Sequence, residues 1–184
     1  NAVEAEKVVD LVGQILSEAM PNGQPPTLGI VAMNRPQADL IASRIEARAA
    51  SDEAFRATLG RDYERAVIDQ IFVRNLENVQ GDERDIMILS LAYGPTDKSP
   101  KVQARFGPVG LQGGEKRLNV AITRARLGLW VVASCAPEDL SVDGTSHAGP
   151  KLLKSFLGFV RAVARGEHAT AKNLLDEAAT LGQG

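Results

Sequence analysis

The spacing of apolar residues divides the first half of the chain into alternating helices and strands. Between residues 3 and 20 apolar side chains recur every three or four positions, which predicts an amphipathic helix that stops before Pro21. The short apolar run 27–33 predicts a strand. A second helix is predicted from the apolar positions that follow Pro36, namely Ala38, Ile41, Ile45 and Ala49.

The same reading continues through the rest of the chain. Residues 51–66 are polar and predict a short helix with a connection, and residues 69–74 predict the next strand. The nearly continuous apolar run 86–92 is typical of a strand covered on both faces. Helical spacing then returns in two places, strongly at Leu152, Leu153, Phe156, Leu157, Val160 and Val163, and more weakly at Ala171, Leu174, Leu175 and Ala178. Alternating strands and helices indicate an α/β fold.

One stretch, Arg117–Arg126, combines an apolar stripe with regularly placed cations. Read as a helix, it puts Leu118, Ala121, Ile122 and Ala125 on one face. Arg117 and Arg124 are seven residues apart and lie above one another on another face. The following run, 127–134, predicts a central strand buried on both faces. Two arginines on a helix are often no more than a solvated surface, so the spacing alone leaves their role open.

Length and composition fit one globular domain. The chain has 184 residues, of which 44% are hydrophobic and 24% charged, and no apolar stretch approaches the ~20 residues that span a bilayer. The single cysteine, Cys135, excludes an intrachain disulfide framework, and two histidines are too few for a zinc site. We expect an intracellular, cytoplasmic protein that has no metal site and does not contact a membrane.

The charge balance is not that of a freestanding nucleic-acid binder. The formal net charge is −2, without the basic excess that marks many such proteins. A domain that grips a nucleic-acid backbone through a few amides and hydroxyls, with a second domain supplying the rest, needs no such excess. The charge therefore does not exclude nucleic-acid binding.

Two strings resemble motifs of superfamily 1 helicases, in the branch that contains the up-frameshift RNA helicase. RLNVAITRAR, residues 117–126, resembles motif VI, and VQGDERDIMILS, residues 79–90, resembles motif V with its QG-x-E-x-D core. GIVAMNRPQ, residues 29–37, is a weaker match to the family string GI-[IV]-T-P-x-x-x-Q and aligns Gln37 with the family glutamine. By this resemblance, which covers residues 27–134, the chain is identified as a member of that family.

The resemblance implies a fold and a domain order. It implies the C-terminal RecA-like motor domain, an α/β, P-loop NTPase-like three-layer fold with a mainly parallel central sheet flanked by helices. We expect residues 1–166 to form this second motor domain, and residues 167–184 to form a C-terminal helix or a linker toward a further, nuclease-like domain. Asn1 and Ala2 follow no initiator methionine, which is consistent with an expression scar.

The resemblance also implies a catalytic arginine. In such helicases ATP lies between two RecA-like domains, and the second supplies an arginine finger, which Arg124 matches. A fixed guanidinium can donate two hydrogen bonds to γ-phosphate oxygens without changing its protonation state. Arg117 and Arg126 fall on family arginines and are expected to bind nucleotide. An equally good interpretation makes them struts that hold motif VI against motif V through one of the acidic residues Asp82, Glu83 and Asp85.

Motif V implies further nucleotide contacts. Gln80, Gly81 and Glu83 match positions that approach the nucleotide in the family. A glycine lets the backbone come close to a ligand, and a carboxylate can accept a hydrogen bond from a ribose hydroxyl or an ordered water.

The expected nucleic-acid contacts are Asn75, Asn34 and Gln37. Gln37 is alternatively an exposed helix residue. The family often has Thr or Ser where Asn75 stands and an aromatic residue where Val79 stands, so the choice between DNA and RNA stays open. The long segment 93–114 is either a hairpin that contacts nucleic acid or a plain surface excursion.

The chain lacks the G-x-x-x-x-G-K-[ST] string of a phosphate loop. We therefore expect ATP and Mg²⁺ to be bound mainly by a first RecA-like domain of the same polypeptide, and the isolated chain to hold neither and to be inactive. The expected function is ATP-dependent movement along single-stranded DNA or RNA. The alternatives are a non-catalytic nucleic-acid-binding module derived from a helicase and an unrelated α/β interaction or nucleotide-binding domain.

Overall fold

The computed structural model of the chain describes residues 1–79, 81–94, 102 and 105–181. Its α-helices are α1 Ala2–Ser17, α2 Arg35–Ser51, α3 Glu53–Tyr63, α4 Gly114–Ile122, α5 Ala148–Ala164 and α6 His168–Leu181. Its strands are β1 Leu28–Ala32, β2 Phe72–Asn75, β3 Arg84–Ser90 and β4 Ala125–Val132. The helices and strands predicted from the apolar spacing are thus present, with ends that differ by a few residues.

The strands form one parallel sheet in the order β2-β1-β3-β4. In the central strand β1, Ile30 pairs with Val73 of β2 and with Ile88 of β3. A Cβ on Gly29 would lie 2.6 Å from atoms of both Phe72 and Met87, so the large side chains on either side of β1 require a glycine there. The predicted α/β class is confirmed as a parallel sheet flanked by helices, consistent with a RecA-like fold.

The main hydrophobic core lies between this sheet and the first three helices. The apolar stripe of α1 is buried against residues of α2, α3, β1 and β3, and the cluster includes Val8, Val12, Leu16, Ile30, Ile41, Phe55, Leu59 and Ile88. Asn34 and Asp52 cap α2 and α3 with their side-chain oxygens. These caps fix where each helix begins, and hence how the connections leave the sheet.

The chain divides into two compact units, residues 1–92 with 120–132, and residues 93–119 with 133 onward. The first unit contains the sheet and α1 to α3. The second contains α5 and α6, where Arg161 of α5 forms an ion pair with Glu138. The boundary expected between residues 166 and 167 falls in the turn between these two helices.

Two expectations about the arginine segment are wrong. The helix ends at Ile122 and does not continue to Arg126, because the chain tightens at Arg124, whose N–H donates to Ala121 O (3.4 Å), and then enters β4 at Ala125. Arg117 and Arg124 therefore do not share a helix face. The strand that follows is not central: β4 is the last strand in the sheet order, and its Leu127 and Trp130 are 65% and 43% exposed.

In the described part of the chain, no helix is long and apolar enough to cross a membrane. Much of the segment 93–114, including residues 95–101, 103 and 104, lies outside the described residues. Its described part contains a 3-10 turn at Gly107–Gly110.

Candidate nucleotide and nucleic-acid sites

Charged side chains cluster where β3 and β4 begin. We call this cluster, made of Glu83, Asp85, Arg124 and Arg126, the amino edge. The parallel pairing of β3 with β4 sets Arg84 opposite Ala125, so the acidic residues of motif V and the arginines of motif VI flank the same rung of the sheet. The tertiary fold thus brings together two strings that lie about forty residues apart in the sequence.

Arg124 is held in place by weak contacts. Its Nε donates to Val120 O at 3.0 Å, and its Nη1 lies 3.4 Å from Glu83 Oε1. The Arg124 and Glu83 side chains are 22% and 49% exposed. An ion pair exposed to this extent contributes about 0–1 kcal/mol, so it orients the guanidinium and leaves it free to exchange partners.

Arg126 connects both acidic residues of motif V. Its Nε lies 3.9 Å from Glu83 Oε2, and its Nη1 lies 3.9 Å from Asp85 Oδ1. The other Asp85 oxygen accepts hydrogen bonds from Thr27 N and Thr27 Oγ1, at 2.9 and 2.8 Å. Burial alone would raise the pKa of Asp85, but these hydrogen bonds and the charge of Arg126 together hold it below its ordinary value. Arg126 of motif VI therefore lies close to two carboxylates of motif V, as in the interpretation that makes this arginine a strut between the motifs.

The turn before Glu83 depends on Gly81. Gly81 has a φ of +90°, in the region that side chains disfavour, and Asp82 N donates to Val79 O across the turn at 3.4 Å. Asp82 forms an ion pair with Arg74 of β2, which ties the turn to the neighbouring part of the sheet. Gln80, the other expected nucleotide contact in this turn, lies outside the described residues.

Arg84 is a structural arginine that the sequence did not single out. It is buried, it donates to Gln70 O from Nε and Nη2 at 3.2 and 2.8 Å, and its guanidinium lies 4.8 Å from the Phe72 ring centre. Burial lowers the pKa of Arg84, yet an arginine stays protonated. In the sequence, the position of Arg84 between Glu83 and Asp85, at the start of an apolar strand, could have indicated a buried role.

Arg117 belongs to the second unit. Its Nη1 donates to Pro108 O and to Gln112 O, both at 3.2 Å. These carbonyls belong to the 3-10 turn at Gly107–Gly110 and to the connection that leads into α4. The contacts fix the approach of the chain to α4.

At the opposite end of the strands lies a buried polar network, which we call the carboxyl edge. Glu4 of α1 is 1% exposed, and its Oε2 accepts from Ser90 Oγ at 2.7 Å and from Ala92 N at 2.8 Å. Gln37 of α2 is 2% exposed and donates from Nε2 to Ser90 Oγ at 3.3 Å and to Asn1 O at 3.1 Å. The interpretation of Gln37 as an exposed helix residue is therefore wrong.

The other two expected nucleic-acid residues lie at the same edge. Asn34 is exposed, and its Oδ1 caps α2 by accepting from Gln37 N at 2.9 Å. Asn75 ends β2, is 8% exposed, and has a side-chain oxygen with no hydrogen-bond partner in the described part of the chain. A buried amide oxygen left unpaired costs about 1–3 kcal/mol, which marks Asn75 as unusual.

The described residues include no group of histidine, cysteine, aspartate and glutamate side chains arranged to hold a metal ion. The amino edge has the donors and acceptors that suit part of a nucleotide: guanidinium groups for phosphate oxygens and a carboxylate for a ribose hydroxyl. It is an open surface of side chains, suited to a ligand that is held from another side as well.

Residues 1–136 match the protein family described as AAA domain. The chain belongs to this family. It is 36% identical over 167 residues, 91% of its length, to the Mycoplasma genitalium protein named Uncharacterized ATP-dependent helicase MG140, and 34% identical over the same length to the homologue of that protein in Mycoplasma pneumoniae. A Danio rerio protein named as a helicase, mov-10-B.2, is 30% identical over 138 residues.

These relatives confirm the expected family, that of the C-terminal motor domain of superfamily 1 helicases. The alignments cover 14% of each Mycoplasma protein and 12% of the Danio rerio protein, so the chain corresponds to a small part of each. It is a helicase-like AAA domain.

Glu4 is a carboxyl-edge residue that the sequence analysis missed. It lies four residues before Val8 and eight before Val12, on the stripe that α1 buries. Gln37 shows the same signal, because it precedes Ile41 and Ile45 at the same intervals. A polar residue that continues an apolar stripe is a sequence-level indication of a buried hydrogen-bond network.

Proposed function

We propose that this chain is the C-terminal motor domain of an ATP-dependent helicase or translocase that moves on single-stranded DNA or RNA. A first RecA-like domain of the same polypeptide binds most of the ATP and Mg²⁺, and this chain completes the nucleotide site with Arg124 as the arginine finger. The observation that carries the proposal is the position of the Arg124 guanidinium, partly exposed and held by the weak contact to Glu83.

Phosphoryl transfer explains why such an arrangement is useful. Charge on the γ-phosphate oxygens must be stabilised as the bond to the leaving group breaks, and an arginine does this without giving up a proton. In the free chain Glu83 orients Arg124 at 3.4 Å. Because that pair is weak, a phosphate can replace the carboxylate at little cost. Glu83 is then available to accept a hydrogen bond from a ribose hydroxyl.

The test is nucleic-acid-stimulated ATP hydrolysis by the polypeptide that contains this chain. Arg124→Ala should leave nucleotide binding largely intact and reduce hydrolysis by roughly 10³-fold or more, the lower end of arginine-finger effects. Single-stranded DNA and RNA are tested separately. Arg56→Ala is the matched control, since Arg56 is an exposed arginine of α3, and it should keep the parent rate.

Equal rates for the parent and Arg124→Ala would remove Arg124 from the mechanism. Binding of nucleic acid without stimulated hydrolysis in the parent would instead support the alternative function, a non-catalytic binding module derived from a helicase. The substitutions at Asn75 and Val79, where the family often has other residue types, are the features that favour that alternative.

A further inference from the structure

Asn75 has a side-chain acceptor that the described part of the chain leaves unused. Asn75 is 8% exposed, and its Oδ1 accepts no hydrogen bond from the described residues. It directly precedes a 3-10 turn, Leu76–Asn78, where an asparagine commonly caps the turn with its side chain, yet no such bond is made. The amide is therefore not explained by its local backbone.

Asn75 lines a cavity of about 370 Å³ at the carboxyl edge. The cavity lies beside the start of the 17-residue helix α2, and its charged lining residues are the cations Arg35 and Arg74 and the carboxylate Asp39. Arg35 is largely exposed and lies 3.7 Å from Asp39, whereas Arg74 is engaged with Asp82. A helix N-terminus flanked by an exposed guanidinium favours an anionic group such as a phosphate.

The three expected nucleic-acid residues differ in whether their side-chain oxygens already accept a hydrogen bond. The Gln37 amide is engaged with Asn1 and Ser90, and the Asn34 oxygen caps α2. Asn75 is the member of the three whose acceptor has no partner in the described residues. The terminal torsion of an asparagine is soft, so its oxygen can turn toward the cavity.

We propose that this cavity holds one nucleotide of single-stranded RNA, with Asn75 Oδ1 accepting a hydrogen bond from the ribose 2′-hydroxyl. The inference rests on the proposed function and adds RNA as the preferred polymer. A ribose 2′-hydroxyl is a donor at the level of the sugar-phosphate backbone, and deoxyribose has no group in that place. Phosphate contacts at Arg35 and the first turn of α2 position the strand and do not distinguish RNA from DNA.

The experiment measures binding of three ten-residue oligonucleotides that share the base uracil: oligo(U) RNA, its 2′-O-methyl form and oligo(dU). Binding to the polypeptide that contains this chain is followed by fluorescence anisotropy at one fixed salt concentration, without ATP. The parent should bind oligo(U) about fivefold more tightly than either of the others, the change expected of one neutral hydrogen bond. The 2′-O-methyl form keeps the oxygen and removes the donor, so it tests the bond itself.

Asn75→Ala should weaken binding of oligo(U) to the level of oligo(dU) and leave oligo(dU) unchanged. Asn75→Leu keeps the side-chain volume without the acceptor and should behave in the same way, which guards against an effect of the small cavity left by alanine. Asn78→Ala is the matched asparagine control in the same cavity, and it should change RNA and DNA affinity by the same factor.

The outcomes separate the two proposals. Equal binding of all three oligonucleotides by the parent, or an RNA preference that survives both Asn75 variants, would overturn the role of Asn75 and leave the motor function standing. Failure of the parent to bind any of the three would contradict the proposed function itself. Loss of folding in one variant, detected by circular dichroism, leaves the other variant to decide.

Discussion

The two edges of the sheet are built from different chemistry. At the amino edge, four charged side chains interact at 3.4–3.9 Å on a partly exposed surface. At the carboxyl edge, Glu4, Gln37 and Ser90 are buried and joined by hydrogen bonds of 2.7–3.3 Å. Weak exposed pairs exchange partners easily, whereas a satisfied buried network resists change. The amino edge therefore suits a ligand that binds and dissociates, and the carboxyl edge suits a fixed framework beneath a binding surface.

The largest effect on stability is expected from the buried network. Glu4→Ala removes the acceptor of the buried Ser90 Oγ and of the partly buried Ala92 N. The free energy of unfolding should fall by about 2–3 kcal/mol, measured by urea denaturation. Glu6→Ala, an exposed position on the same helix paired with Arg44, should change it by less than about 1 kcal/mol. Similar losses in the two variants would end the contrast between a fixed and an exchangeable edge.

A smaller effect is expected at the turn of motif V. Gly81→Ala places a side chain at a φ of +90°, and no neighbouring atom lies within 4 Å of the new Cβ, so the change tests backbone conformation alone. We expect the free energy of unfolding to fall by about 1–2 kcal/mol. Gly144→Ala, which also has open space and no positive φ, is the control and should be close to neutral. A neutral Gly81→Ala would show that the turn relaxes without cost.

The smallest effect is a pH dependence at the amino edge. The folded-state pKa of Asp85 is lowered from 3.8, so its charge contributes stability above that pH and loses the contribution as the pH falls below it. Asp85→Asn should therefore have a lower free energy of unfolding than the parent chain. This deficit should be constant near neutral pH and should shrink below about pH 4. A deficit that does not change between neutral and acid pH would contradict a lowered pKa for Asp85, because the hydrogen bonds from Thr27 and the charge of Arg126 both favour its ionised form.

Much of the fold could be predicted from local patterns. The periodicity of α1, the apolar runs of β1 and β3, and the two motif strings are short-range features of the sequence, and each led to the correct type of element. The positions at which helices and strands end were predicted less accurately, as the segment Arg117–Arg126 shows. Its residues continue a helical pattern to Arg126, but the parallel pairing of β4 with β3 takes Ala125 and Arg126 into the sheet.

The sequence by itself determined the α/β class, the helicase-like family and the identity of the charged residues in motifs V and VI, because all three reside in contiguous strings. Tertiary structure alone decided that β4 lies at the end of the sheet order, that Glu83 faces Arg124, and that Glu4 and Gln37 meet at Ser90. It also decided that Asn75 keeps an unpaired oxygen. These features depend on which strands become neighbours and on which side chains lose contact with water, and both are set by packing between distant segments of the chain.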